Sequence, residues 1–167
     1  MNIGMPVIIQ PFLNKHLDSI ISLIVGIQQK EFNIKITEKE QPDLQNIEEF
    51  YQTGYGNFWT ALHSNRVVGT ISLKDIGNQQ AALRKMFVDK QFRGKDQGVA
   101  SQLLKVALDW AALKKIKEIF LGTTPEFLAA HRFYEKNSFT EINQDMLPAN
   151  FPVMVVDTKF YRFKMQN

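Results

Sequence analysis

The sequence predicts an α/β (α+β) fold in which a mixed, mostly antiparallel central sheet is flanked by helices. Three observations lead there. Apolar residues recur at helical spacing early in the chain, three strand-like runs follow one another in its middle, and helices and strands alternate toward its end. With 167 residues, 44% of them apolar, the chain can bury one core, and no linker-like stretch, repeat or low-complexity segment divides it. A single domain over residues 1–167 is the expectation.

Val7 to Gln10 reads as a short strand. Asn14 can then cap a helix carrying Leu17, Ile20, Ile21, Leu23, Ile24 and Ile27 on its apolar face. Thr37 to Gln52 suits a second, shorter helix that stops before Gly54-Tyr55-Gly56. Phe58 to Leu62 and Val67 to Leu73 are strand-like, joined by His63-Ser64-Asn65-Arg66, which has hairpin chemistry. After the turn Ile76 to Gln80, Ala82 to Val88 makes the third strand of a meander. Gly98 to Lys114 is a helix with Val99, Leu103, Val106, Ala107 and Trp110 on one face. Ile116 to Gly122 returns as a strand. Thr124-Pro125-Glu126 then has the chemistry of a helix start, with Thr124 as N-cap, and the helix runs to Lys136. Phe139 to Ile142 and Val155 to Phe163 are the last strands, separated by an irregular stretch with Pro148 and Pro152.

Composition narrows the chemistry. The chain has no cysteine, so disulfides, thiolate metal sites and a covalent intermediate on sulfur are excluded. His16, His63 and His131 are scattered, and no His/Asp/Glu group has metal-site spacing. The apolar run Ile20 to Ile27 falls far short of the roughly 20 residues that cross a bilayer. The first residues lack the basic head and apolar stretch of a secretory signal, so the expected location is cytoplasmic, with no membrane partner. A net charge of +3 is modest. The basic cluster Arg84, Lys85, Lys90, Arg93 and Lys95 lacks the exposed aromatics of a nucleic-acid platform, and no nucleic-acid partner is expected. Glu38, Glu40, Asp43, Glu48 and Glu49 form an acidic run that either draws a cation or is an ordinary solvated face.

The informative junction lies between Met86-Phe87-Val88 and the helix opening at Gly98. A helix begins with unpartnered N–H groups and a partial positive charge, so a loop wrapping that end can hold a diphosphate. Close approach needs small residues, and Lys95-Asp96-Gln97-Gly98-Val99-Ala100 supplies them, with Ser101 continuing the first turn and Arg93 and Lys95 adding charge. Small residues at a helix start also serve close packing.

This junction resembles the acetyl-CoA loop of the GCN5-related N-acetyltransferases (GNAT family), Gln/Arg-x-x-Gly-x-Gly/Ala, which follows a strand ending in an apolar-aromatic-Val pattern. The loop here is two residues longer than the family's Arg-Gly-x-Gly-x-Gly/Ala, and Lys95 takes the Gln/Arg place. Ala130 to Phe139, Ala-His-Arg-Phe-Tyr-Glu-Lys-Asn-Ser-Phe, is similar to the family's Ala-x-x-Phe/Leu-Tyr-Glu-Lys-x-Gly-Phe signature, with Ser138 replacing glycine. The left-handed turn ending that helix must then fall on Asn137 or Ser138.

The resemblance implies an acetyl-CoA-dependent N-acyltransferase in which an amine attacks the thioester directly, in a ternary complex. It implies cofactor contacts from Met86, Phe87, Val88, Arg93, Lys95, Asp96, Gln97, Gly98, Val99, Ala100 and Ser101. Tyr134 takes the place of the tyrosine that faces the cofactor sulfur, as general acid for the departing thiolate. A backbone N–H in the Phe87–Val88 stretch would polarise the carbonyl. The meander offers Arg84 and Lys85 where the family often has a glutamate base, leaving Asp75, Glu31 and His63 as distant candidates. The acidic run near Glu38 to Glu49 is the expected attraction for a cationic acceptor. A silent acyl-CoA-binding module is the alternative function, and a homodimer is an open assembly.

Overall fold

The computed structural model describes residues 5–94 and 97–166. Its strands are β1 (Ile8–Pro11), β2 (Asn57–His63), β3 (Arg66–Gly77), β4 (Gln80–Val88), β5 (Glu118–Thr123), β6 (Thr140–Ile142) and β7 (Lys159–Lys164). The α-helices are α1 (Leu17–Gly26), α2 (Ile47–Tyr51), α3 (Val99–Leu113) and α4 (Leu128–Lys136). The strands form one sheet in the order β1-β2-β3-β4-β5-β7-β6. Every pairing is antiparallel except β4 with β5. The mixed, mostly antiparallel sheet is therefore as the sequence predicted.

Alternating side chains divide the meander between two layers. Phe58, Leu62 and Val67 pack with Ile20, Ile21 and Ile24 of α1 and with Ile47 and Tyr51 of α2. Trp59, Val68, Ile71 and Leu83 pack on the other face with Leu103, Leu104 and Ala107 of α3 and Tyr134 of α4. Both hairpins close on two residues of positive φ, Ser64-Asn65 and Asn78-Gln79, which match the twist of the paired strands.

Several local expectations are corrected. Asn14 lies inside a 3-10 turn, Asn14–His16, and no side-chain cap bond forms there or at the start of α1. The preceding Phe12 is buried and its N–H bonds the Phe58 carbonyl, so the chain must turn before a helix can start. Thr37 to Gln52 is two 3-10 turns, Glu38–Glu40 and Pro42–Gln45, followed by the short α2. Pro42 interrupts the helical bonding, and Asp43 is buried against Tyr51. Thr124 caps nothing: α4 starts after Phe127, whose ring packs edge-on against Phe32 and Phe87. The last strand starts at Lys159, because Met154–Asp157 forms a turn that leaves Val155 wholly exposed.

Two features of β4 position the cleft. Its ladder with β5 holds for Gln80↔Glu118, Ala81↔Ile119 and Ala82↔Phe120 and then stops, so the strands splay from Leu83 and Leu121 onward. On its other side, against β3, β4 bulges between Arg84 and Phe87, where Lys85 takes a φ of 54°. That conformation costs a non-glycine residue about 1–2 kcal/mol. Two buried hydroxyls of β3 support it: Thr70 donates to the Lys85 carbonyl at 2.7 Å and Ser72 to the Arg84 carbonyl at 2.6 Å.

Thr70→Val should therefore leave a carbonyl under-satisfied at the bulge and lower unfolding stability by about 1–3 kcal/mol in urea denaturation. Unchanged stability would mean that the bulge does not depend on this bond.

Candidate active site

The splay opens a cleft of about 530 Å³ whose wall combines β4, β5, the first turn of α3, α4 and the residues that follow α1. At one end the chain reverses through Gly94 and Gly98, with φ values of 104° and 66°. These are left-handed conformations that glycine adopts without strain. Gly98 stands at the N-cap, and the first helical bond of α3 runs from the Gln102 N–H to the Gly98 carbonyl. The N–H groups of Val99, Ala100 and Ser101 precede that bond and make the electropositive end of a 15-residue helix with no acid in its first turn.

Most of the sequence-predicted residues meet here. Met86, Phe87, Val88, Arg93, Gly98, Ala100, Ser101 and Tyr134 all line the cleft. Val99 is not among the lining residues; its side chain lies in the core beneath α3. Nor is Gln97. Lys95 and Asp96 lie outside the described residues. Arg93 is less available than expected: its Nε donates to the Val88 carbonyl at 2.8 Å and its two terminal nitrogens grip the Glu31 carboxylate. It braces the loop against the π-helical turn Ile27–Glu31 that continues α1.

Tyr134 comes from the last turn of α4, its ring packed on Phe139 and Tyr161. The left-handed residue beyond this helix is Ser138, with φ of 72°. Burial first, and then the negative charge of Asp157, push the Tyr134 phenol well above its ordinary range. It is held as a proton donor throughout the neutral range.

The other end of the cleft is charged in a way the sequence did not announce. Lys85, aimed by the bulge, donates to Gln41 Oε1 at 2.6 Å and lies 3.6 Å from Asp43 Oδ2. Arg84 lies 3.8 Å from the same oxygen, which also accepts the Tyr51 hydroxyl at 2.5 Å. Two cations thus share one buried carboxylate. Burial lowers the Lys85 ammonium to about 8, against the pull of Asp43 and with the push of Arg84. Asp157 also lines the cleft, and its carboxyl is raised by burial despite Arg84 and Lys85.

The three candidate bases stand elsewhere. Glu31 is taken by Arg93, Asp75 accepts the N–H groups of Tyr55 and Gly77, and the His63 ring lies against Phe92. None of the three lines the cleft. The acidic run does not line it either; from that segment only Gln41 reaches the wall, while Glu38 accepts from the Gln45 amide of the next turn and Glu40 from the Thr37 N–H. Its attraction for a cationic acceptor loses its basis. Two adjacent basic residues inside an otherwise apolar strand were the available sign of a charged pocket; Gln41 and Asp157 had none. Among the described residues no three His, Cys, Asp or Glu side chains gather as a metal would require.

The model of the acetyltransferase (GNAT) family matches residues 23–139. The crystal structure of a GNAT-family acetyltransferase from Staphylococcus aureus Mu50 superposes with a TM-score of 0.93 at 38% identity, over 96% of this chain and 99% of that one. The PaiA N-acetyltransferase of Thermoplasma acidophilum, solved in complex with coenzyme A, shares the fold at a TM-score of 0.73 and 17% identity, over 96% of this chain and 100% of that one. The N-acetylaspartate synthetase of Xenopus tropicalis is 36% identical over 104 residues, 60% of this chain and 37% of its own length. The chain thus spans just over a third of that curated relative. A family match over most of the sequence, on a sheet splayed beside a glycine-opened helix, means that the chain belongs to the acetyltransferase (GNAT) family.

Proposed function

We propose that this protein transfers an acetyl group from acetyl-CoA to the primary amine of a small acceptor that carries a carboxylate. The observation that carries the reading is the splay of β4 from β5, which brings the first turn of α3 and the Tyr134 side chain to one cleft. The cofactor diphosphate would sit on the N–H groups of Val99, Ala100 and Ser101, where helix-end charge and small side chains favour an anion. The pantetheine arm would run along the edge of β4 through Met86 to Val88, which has no strand partner on the β5 side. Backbone N–H groups there can bond the thioester carbonyl as it gains negative charge. The departing thiolate has the basicity of a thiol of pKa about 8.5, and Tyr134, kept protonated by burial, can supply its proton.

The acceptor class follows from charge. A substrate carboxylate reaching Lys85 and Arg84 would meet two cations that share one buried anion. The relative's name, N-acetylaspartate synthetase, describes an enzyme whose product is an acylated amino acid. The test is thiol release from acetyl-CoA with a panel of amino acids and neutral or cationic amines. Acidic amino acids should be preferred. Preference for polyamines would overturn the acceptor class, and coenzyme A binding without thiol release for any amine would mark a binding module instead of an enzyme.

Two further outcomes are expected. Tyr134→Phe should lower kcat by roughly 10²-fold or more, the scale of a lost general acid, with coenzyme A affinity by calorimetry changed only a few-fold. Lys85 holds its charge below about 8, so the KM for a carboxylate acceptor should rise as the pH passes above that value. Lys85→Arg, which stays charged, should abolish this limb.

A further inference from the structure

Direct transfer to an amine requires a group that takes a proton from the ammonium form, and the candidate bases read from the sequence stand away from the cleft. Asp157 does not. It closes the turn that precedes β7, with its own N–H bonded to the Met154 carbonyl at 3.0 Å and its carboxylate accepting the Met154 N–H at 3.4 Å. The next residue, Thr158, donates to the Thr123 carbonyl at 3.0 Å, tying this turn to the splayed end of β5.

The fit against β5 is specific. A Cβ on Gly122 would lie 2.6 Å from Asp157 Oδ2 and 2.9 Å from its Cγ, so the carboxylate occupies space that only glycine leaves free. Gly122 needs no left-handed backbone, since its φ lies outside that region. Its requirement is the close approach of Asp157. Gly122 and Asp157 both line the cleft, as do Arg84, Lys85 and Tyr134. The charged and titratable groups that act on the carboxylate are Arg84 and Lys85 from β4, and Asp157 in turn acts on the Tyr134 phenol from α4.

We propose that Asp157, seated against Gly122 in the splay, is the general base that deprotonates the acceptor amine. The proposal rests on the acetyltransferase reading given above. The carboxylate takes one proton from the substrate ammonium, freeing the nitrogen lone pair. The nitrogen then forms a bond to the thioester carbonyl carbon, and the carbon–sulfur bond breaks with its electron pair left on sulfur. Tyr134 gives its proton to that thiolate and recovers one from the new amide nitrogen. The proton on Asp157 leaves to solvent, so that ammonium and thioester become amide, thiol and one released proton. A carboxylate shielded from water is a stronger base than a free one, and the two neighbouring cations oppose that rise.

The test uses the full chain and whichever amine of the panel the unaltered protein acetylates. Asp157→Asn should lower kcat/KM by roughly 10²–10⁴-fold, the range of a lost general base. Coenzyme A affinity should stay within a few-fold, and the fall in rate on the acidic side of the pH profile should lose the inflection that belongs to this carboxyl. Gly122→Ala keeps the carboxylate but displaces it, and should lower kcat with coenzyme A still bound. If Asp157→Asn turns over within three-fold of the unaltered protein, or keeps the same acidic inflection, Asp157 is not the base. If it also loses coenzyme A binding, its role is structural and the proposal is equally overturned. Failure of the unaltered protein to release thiol with any amine would instead count against the acetyltransferase reading itself.

Discussion

The parallel ladder between β4 and β5 lasts three residue pairs and then stops, and the rest of the site depends on that interruption. Had it continued, Leu83 to Val88 would be bonded on both edges and the space between the strands would be filled with backbone. Because it ends, one strand keeps an unpaired edge, the other exposes Gly122, and α3 and α4 present Gly98 and Tyr134 to the same opening. Core packing fixes the divergence. On the α3 side Leu83, Val99, Leu103 and Leu121 share a cluster, and on the opposite side Ala82, Phe120 and Phe160 share another. The cleft is held by packing on both faces of the sheet.

The second constraint is the bulge at Lys85. A regular strand would alternate Arg84 and Lys85 to opposite faces. The left-handed residue, braced by Thr70 and Ser72, instead brings both toward Asp43. This arrangement concentrates positive charge at one end of an otherwise apolar opening, while the glycine-opened helix supplies it at the other. The two anionic parts of the proposed reactants, diphosphate and acceptor carboxylate, would thereby be kept apart, with the phenol and the Asp157 carboxyl between them as acid and base.

How far this was legible in the sequence follows from which signals are local. The meander could be read because two-residue turns at Ser64-Asn65 and Asn78-Gln79 interrupt runs of strand-like residues. The glycine-opened start of α3 could be read because such a turn needs glycine and small residues at fixed spacing. The cleft-facing position of Tyr134 followed from resemblance, since its immediate neighbours are equally consistent with packing. Thr124-Pro125-Glu126 misled: Phe127 is seated against Phe32 and Phe87 and the helix starts after it, and among the described residues the buried Thr124 hydroxyl has no hydrogen-bond partner. Asp157 and Gln41 carry no local pattern at all; each is brought to the cleft by a turn whose place is set by distant strands. The acidic run illustrates the converse, a conspicuous feature of composition whose one deeply buried member, Asp43, serves the charge network and whose other members face solvent.

Exposed main-chain amides at the start of α3, inside the splay, would hold the cofactor by its diphosphate. Calorimetry comparing coenzyme A with pantetheine, which shares the arm but lacks the diphosphate, tests it most directly. Coenzyme A should bind at one site per chain and pantetheine at least tenfold more weakly, with the difference shrinking as salt rises. Equal affinity for the two, or no uptake of coenzyme A by folded protein, would contradict the account.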